Sequence, residues 1–333
     1  MKLTMKDIAK ATGVSQPTIS RILNGNPNVN TESKIKVLEY IEKVGYRPNL
    51  VAKSLKNNSS YLIGLCVPDL SNPYFIEIIE TLENIGRKNN YTLLIHNSQK
   101  NPVLEWECIM DFIDRQVDGI AMVPYSNFNL DKLINTKIPT VVLTQIRKGF
   151  DSVAVNHKAG GMLAAKHLLN LGHQNIGFIG GSIKEDDKFF GFERELSFNS
   201  VDFSMDNFIS ISDYSNTYKE MDKAITDHLK KNINNLPTAF FTGNDIVAYE
   251  LIKILDDFGL NVPNDVSIVG FDDTIIAKTL KITSIKQPIE DISSIAFELL
   301  MKKIKNKEEH RDVEHIELNP ILFKRKTTKQ IGY

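Results

Sequence analysis

The stretch VSQPTISRILN, residues 14–24, decides how this chain is read. Ser15 can cap a helix, because its hydroxyl accepts from backbone N–H groups of the first turn. Pro17 fits that same turn, where its missing N–H leaves no intrahelical bond unmade. Ile19, Ile22 and Leu23 fall at i, i+3 and i+4 and form one apolar stripe. Gln16, Thr18 and Arg21 point away from that stripe, with Ser20 and Asn24 at its flanks. Hydroxyls, a carboxamide and a guanidinium are the groups that clamp phosphates and read base edges. The preceding segment, residues 4–12, opens on Thr4 with Asp7 three residues on, a capping-box pair. Ile8, Ala9 and Ala11 give it small apolar surface, and Gly13 supplies a tight turn. Two short helices joined in this way make a helix-turn-helix. A helical hairpin without a ligand is the plain alternative.

Working outward, a third helix is expected from Thr31, its cap, to Val44, with Gly45 as the stop. Ile35, Leu38 and Ile41 are read as its inward stripe, widened by Val37 and Val44. Charge coincides with these helices. Residues 1–60 hold ten Lys and Arg against four Asp and Glu, a balance of +6. The 333 residues together carry −1, so the remainder carries −7. A basic head on an acidic body fits a small nucleic-acid-binding module joined to something else. A head of this size has a thin core and is expected to be marginally stable without DNA or a partner.

Beyond the head the pattern changes twice. In GYRPNLVAKSLKNNSS, residues 45–60, Pro48 restarts the chain, residues 49–56 are helix-permissive, and Asn57 to Ser60 form a polar linker. From Tyr61 the run YLIGLCVP reads as a buried parallel strand. Amphipathic helices then alternate with short apolar strands to about residue 304, with strands in YTLLIHN, GIAMVP, TVVLT, Ser152–Val155, NIGFIGG, TAFFTG and VSIVGFD. Such alternation implies parallel sheets with helices on both faces. About ten strands exceed one compact sheet, so two similar lobes are expected. The expected fold is a small all-α helix-turn-helix head plus an α/β domain of two doubly wound lobes. The boundaries are drawn at 1–46 for the head, 47–59 for a hinge helix and linker, and 60–333 for the two lobes.

Apolar content of 42% and charged content of 24% place the chain among soluble globular proteins. No apolar run reaches signal-peptide or membrane-span length, so a cytoplasmic location without membrane contact is expected. Cys66 and Cys108 have neither metal-ligand nor CxxC spacing and read as buried thiols in a reducing compartment. Enzyme readings find little support. Asp272 and Asp273 are neighbours that an extended backbone points apart. His167 and His173 lack metal spacing, and His173 in LGHQ reads as a structural turn residue. No nucleophile elbow, phosphate loop or dinucleotide fingerprint occurs. No catalytic residue, cofactor or metal is expected.

Several long motifs occur in a fixed order: MKDIAKATGVSQPTISRILNG, GYRPNLVAKSL, IGLCVPDLSNPYF, HLLNLGHQNIGFIGG, GNDIVAYELI, LNVPNDVSIVGFDD and TSIKQP. Over essentially its whole length the chain resembles the lactose-repressor (LacI/GalR) family of bacterial transcription regulators. The resemblance implies a helix-turn-helix and hinge helix followed by an effector domain shaped like periplasmic sugar-binding proteins of type 1. It also implies double-stranded operator DNA, a sugar or sugar-phosphate effector and a second copy of the chain as partners. Gln16 and Pro17 would choose operator sequence, with Pro17 limited to apolar contact. Arg21 would contact a base, and Thr4, Ser15, Thr18 and Asn24 would position the backbone. Leu55 would be the apolar wedge of the hinge helix, two of which kink the duplex in a dimer. Leu55 packed on its own domain is the alternative.

In the effector domain the resemblance places Tyr74, Phe75, Asp245 and Asp272 at the ligand, with helix capping or loop bracing as the other reading of each Asp. The chain departs from the family pattern in three places. Lys188 in KFFG stands where Arg is usual, Thr144 and Gln145 stand for Asp-Arg, and Val155-Asn156-His157 replaces the usual Asp-Asn sequence. Fewer carboxylates beside a retained cation would suit a phosphorylated or acidic effector. The reading is thus a repressor of carbohydrate use switched by a small sugar-like effector. A regulator controlled by a protein or phosphorylated co-repressor is the alternative, and a transporter's solute-binding protein the rival class. Without the leucine-heptad tail of tetrameric members, a dimer is expected.

Overall fold

Thr4 and Asp7 cap each other at the start of the first helix: the Thr4 N–H donates to Asp7 Oδ2 at 2.9 Å and the Asp7 N–H to Thr4 Oγ1 at 3.4 Å. The computed structural model describes residues 3–23, 26–46, 59–182, 186–211, 218–305 and 312–331. The chain divides into two compact units, Met1–Ser60 and Tyr61–Tyr333. In the first, α1 (Met5–Thr12), α2 (Gln16–Leu23) and α3 (Thr31–Val44) follow one another. Gly13 ends α1 at φ 69°, a left-handed conformation that costs glycine little. Ser15 Oγ accepts from the Thr18 N–H at 3.4 Å and so caps α2.

Ile8, Ile19, Ile22 and Val37 form the core of this unit. The third helix departs from expectation. Ile35 and Leu38 are 52% and 42% exposed, and Val37 is the buried residue, flanked by half-buried Tyr40 and Ile41. Counting in steps of three drifts off a face that repeats every 3.6 residues; 37, 41 and 44 follow it. Its cap is Asn30, whose Oδ1 accepts from the Glu32 N–H at 2.9 Å, rather than Thr31.

The second unit holds two six-stranded sheets. In the first lobe, β1 (Leu62–Val67), α4 (Pro73–Lys88), β2 (Thr92–Asn97), α5 (Pro102–Asp114), β3 (Gly119–Met122), α6 (Asn127–Ile134), β4 (Thr140–Thr144) and β5 (Asp151–Val155) alternate. The second continues with α7 (His157–Asn170), β6 (Ile176–Gly180), α8 (Asp187–Phe198), β7 (Phe208–Ser210), α9 (Tyr218–Asn232), β8 (Ala239–Thr242), α10 (Asp245–Asp257), β9 (Ser267–Asp272), α11 (Ile275–Leu280) and β10 (Thr283–Lys286). The chain then returns to the first lobe with α12 (Ile289–Lys305) and β11 (His315–Leu318), and ends in the second with β12 (Ile321–Phe323). Strand orders are β11-β5-β4-β3-β1-β2 and β12-β10-β9-β8-β6-β7. The two lobes therefore repeat one arrangement. Every pairing is parallel except that of β12 with β10, an antiparallel edge that strict strand–helix alternation did not predict.

Each sheet is buried on both faces, which explains why its strands read as continuous apolar runs. Three chain crossings join the lobes, at Asn156, at Gln287–Pro288 and at Asn319–Pro320. Asn156 ties two of them together: its N–H donates to the Leu318 carbonyl at 2.8 Å and its side chain to Glu317 at 2.9 Å.

The last described residues run as a strap along the second sheet. Thr327 Oγ1 donates to the Ile268 carbonyl at 2.7 Å and accepts from the Thr283 N–H at 2.9 Å. Both backbone groups are buried with it. Thr327→Val keeps the shape but leaves them unpaired, and should lower stability by about 2–3 kcal/mol. Urea unfolding would read this as a lower midpoint at unchanged slope; an unchanged midpoint would contradict the strap's role.

Candidate functional site

On the head, α2 presents a polar face opposite Ile19 and Ile22. Ser15, Gln16, Pro17 and Arg21 are exposed and Thr18 is partly buried. The Ser15 and Thr18 hydroxyls lie 2.8 Å apart and hydrogen-bond each other. Thr4 is exposed and its hydroxyl donates to Asp7 at 2.7 Å. The face is thus pinned by local bonds while Gln16 and Arg21 project freely from it. Asn24 and Leu55 lie outside the described residues.

Between the lobes, polar side chains gather at the carboxyl ends of the strands, where open α/β sheets bind ligands. Asn72 caps α4 and accepts from the Tyr74 N–H at 3.0 Å, which sets Tyr74 in the first turn. Tyr74 is 4% exposed, and Phe75 packs edge-on against it with ring centroids 5.2 Å apart. Tyr74 Oη donates to Gln287 Oε1 at 3.1 Å, and Gln287 Nε2 donates to Asp272 Oδ1 at 2.6 Å. From the facing lobe Asn72 also lowers the Asp272 pKa, and Gln287 raises that of His157. Gln287, on a crossing segment, is therefore the hub. A second link between the lobes is the Glu77–Lys278 pair at 3.6 Å, with burial holding the Glu77 carboxyl above its ordinary range.

Lys188 enters from the first turn of α8, where Asp186 caps the helix. Its Nζ donates to the Gly243 carbonyl at 2.6 Å and sits 4.5 Å over the Phe271 ring. Burial, and next the Lys188 charge, push the His157 pKa down to about 4, so that ring is neutral at pH 7. Burial pushes Asp272 up to about 6 against the pull of Lys188, Gln287 and Asn72. Tyr74 is held well above its ordinary value by burial and then by Asp272. The backbone is unusual at the same spot. Asp272 and Asp273 have φ of 100° and 56°, conformations a non-glycine residue holds only when its surroundings demand it, and which cluster at functional sites.

Of the five positions marked in this domain, Tyr74, Phe75, Lys188 and Asp272 converge. Asp245 feels the charge of Asp272, but its own contacts are those of a bracing carboxylate. Oδ2 accepts from the Thr274 N–H at 2.7 Å and the Thr274 hydroxyl at 2.9 Å, and Oδ1 accepts from Ser284 at 2.6 Å. Both oxygens are occupied, and burial, then the Asp272 charge, raise its pKa to about 7. Asn244, not Asp245, caps α10. Three contributors were not singled out from sequence as ligand positions: Asn72, His157 and Gln287. Asn72 had a local signal, a capping residue before Pro73. Gln287 had only its place in TSIKQP, since its partner Tyr74 is 213 residues away.

The comparisons with known proteins agree with this architecture. A model of the periplasmic binding protein-like domain matches residues 165–328, and a model of bacterial regulatory proteins of the lacI family matches residues 4–49. The chain is 34% identical over 318 residues to catabolite control protein A of Priestia megaterium, covering 92% of this chain and 94% of that one. It is 33% identical over 337 residues to the HTH-type transcriptional repressor PurR of Edwardsiella ictaluri (strain 93-146), covering 97% and 96%. The fold matches that of the lac repressor dimer bound to operator and the anti-inducer ONPF, with a TM-score of 0.82, 23% identity and coverage of 99% and 100%. No helix among the described residues is long and apolar enough to cross a membrane. With its head, its paired lobes and these relatives, the chain belongs to the lacI family of bacterial regulatory proteins.

Proposed function

We propose that this regulator represses genes of carbohydrate use as a homodimer, and that a small sugar or sugar phosphate bound between its lobes switches operator binding. The observation that carries the effector site is the buried Tyr74–Gln287–Asp272 chain, whose members come from both lobes and a crossing. A ligand that replaces these bonds with its own hydroxyls acts on the lobe-to-lobe contact itself. Its differential affinity for two lobe arrangements then sets the size of the switch. Lys188 adds a cation that, among the described residues, is held by a carbonyl and a ring face rather than by a carboxylate, which suits an anionic group on the effector. Asp245 is left as a brace.

At the other end, Gln16, Pro17 and Arg21 are the proposed base-reading residues, Thr4, Ser15, Thr18 and Asn24 the backbone-positioning ones, and Leu55 the minor-groove wedge. Removing an arginine that reads guanine O6 and N7 costs about 1–3 kcal/mol. Arg21→Ala should therefore weaken specific binding about 5- to 150-fold in a gel shift on the DNA upstream of the protein's own gene. Non-specific binding should fall much less, and equal losses on both DNAs would demote Arg21 to a phosphate contact.

A thermal-shift screen of neutral sugars and their phosphates tests the whole reading. A ligand at about 100 times its dissociation constant adds about 2.7 kcal/mol. The compound that raises the melting temperature should also change operator affinity. Sugars that bind while their phosphates do not would remove the anionic preference, and a protein with no specific DNA upstream of its gene would remove the regulatory assignment to carbohydrate use.

A further inference from the structure

In the outer face of the first lobe, away from the polar groups between the lobes, the two cysteines of the chain meet. On β1, Gly64 and Cys66 point to the same side, as residues two apart on a strand do. On α5, Cys108 and Phe112 lie one turn apart on one face. The Phe112 ring presses on Gly64, where an ideal Cβ would stand 2.6 Å from Cγ. Two residues of strand advance about 6.6 Å and four of helix about 6 Å. Stepping from Gly64 to Cys66 and from Phe112 back to Cys108 therefore brings the two sulfurs together. Both belong to one buried cluster, both are free thiols, and each shifts the other's pKa, as near neighbours do. They are not equal: Cys66 is 0% exposed and Cys108 is 8% exposed.

We propose that Cys66 and Cys108 form a dithiol modification site that a small peroxide oxidises to an intramolecular disulfide. Cys108 Sγ, on the less buried of the two residues, attacks one peroxide oxygen. The S–O bond forms, the O–O bond breaks, and the departing hydroxide leaves as water with the thiol proton. Cys66 Sγ then attacks Cys108 Sγ; the S–S bond forms, the S–O bond breaks, and a second water leaves with the Cys66 proton. Two thiols and one hydrogen peroxide give one disulfide and two waters.

The surroundings divide the roles. The neighbouring Cys66 lowers the Cys108 pKa, whereas Cys108 and then burial hold Cys66 protonated. A low-pKa, reachable thiol beside a second one is the pattern of a peroxide-reactive pair. Buried Glu105 opposes thiolate at both sulfurs, with its own charge stabilised by N–H donors of Tyr125, Ser126 and Asn129. The disulfide would pin α5 to β1, the strand that leads into Asn72 and Tyr74.

The test is a hydrogen peroxide titration of the reduced full-length protein, then unfolding in an alkylating agent and peptide mass spectrometry without reductant. Expected is a linked pair of peptides carrying Cys66 and Cys108, with both thiols protected from alkylation and recovered by dithiothreitol. Cys66→Ser should leave a sulfenic acid on Cys108 that dimedone traps, and Cys108→Ser should leave Cys66 alkylatable. Folding of either variant is checked by circular dichroism, and the titration of the unsubstituted protein decides the matter without them. Oxygen added to Cys108 with Cys66 still free, a disulfide between chains, or two alkylatable thiols at peroxide levels that oxidise the unfolded chain would each overturn the proposal.

Discussion

Gly161→Ala should leave the second lobe unable to fold stably. An alanine Cβ at Gly161 would lie 1.9 Å from the Lys188 carbonyl oxygen and 2.7 Å from the Phe192 nitrogen. Gly191 stands in the same relation to α7, with its ideal Cβ 1.9 Å from the Lys158 carbonyl oxygen. Helices α7 and α8 thus cross backbone to backbone, each through the other's glycine. Neither obstacle is a side chain that can turn aside, so the helices must part. Parting them opens the aromatic cluster of Phe178, Phe189, Phe192 and Phe241 beneath. The expected loss is about 4 kcal/mol or more, at the extreme of single substitutions and much of an ordinary domain's stability. Soluble yield and a thermal melt measure it. Gly86→Ala is the control, since there the nearest obstacle is the Leu93 Cδ1 methyl at 2.7 Å and the backbone is 3.5 Å away. Parity between the two variants would show that the crossing can adjust. The consequence reaches the proposed ligand site, because the α8 turn held by this crossing carries Lys188.

Asp272→Asn is expected to make the protein more stable at pH 8 and poorer at binding its effector. Burial, the leading cause, raises the Asp272 pKa to about 6, against about 3.9 in an unfolded chain. Between those values the folded state holds a proton that the unfolded state has lost. The stability this contributes is fully present below about pH 4 and is lost as the pH rises through about 6. Asparagine has no charge to bury. The difference in unfolding free energy between variant and parent should therefore widen, in favour of the variant, by on the order of 2–3 kcal/mol from pH 4 to pH 8. Any fixed cost of rearranging the Gln287 carboxamide cancels in that difference. Effector affinity should fall at least about tenfold, the effect of one lost bond to a charged group. Urea unfolding at the two pH values reads the first effect and a thermal-shift titration the second. A pH-independent gap would mean that Asp272 is ionised in the fold at no cost.

What the sequence made legible was local. Thr4 and Asp7 are three residues apart, and their capping bonds follow from that spacing. The apolar runs of β1, β4, β6 and β9 are legible because strands buried on both faces need no partner to be recognised. The strands β11 and β12 were not, since HIEL and ILF are short edge pieces with half their side chains in water. The helix α6 was missed for a similar reason: NFNLDKLI opens on a cap without a side-chain bond. In the site, Tyr74 and Asp272 came from a motif resemblance, whereas Gln287 is defined by contacts far apart in sequence. Asp245 is the converse case. Its motif pointed to a ligand, and only the positions of Thr274 and Ser284 reveal where both its oxygens go.

The three crossings at Asn156, Gln287–Pro288 and Asn319–Pro320 have a mechanical consequence. Two bodies joined by one strand can swivel, bend and slide. Joined by three side by side, two of them tied through Asn156, they retain chiefly one soft motion, a rotation about the line of the joints. Work done anywhere in the gap is then gathered into a single angle instead of being spread over many. Gln287 sits on that axis while bonded to both Tyr74 and Asp272, so it is both latch and pivot. A molecule that displaces it breaks the latch at the joint itself.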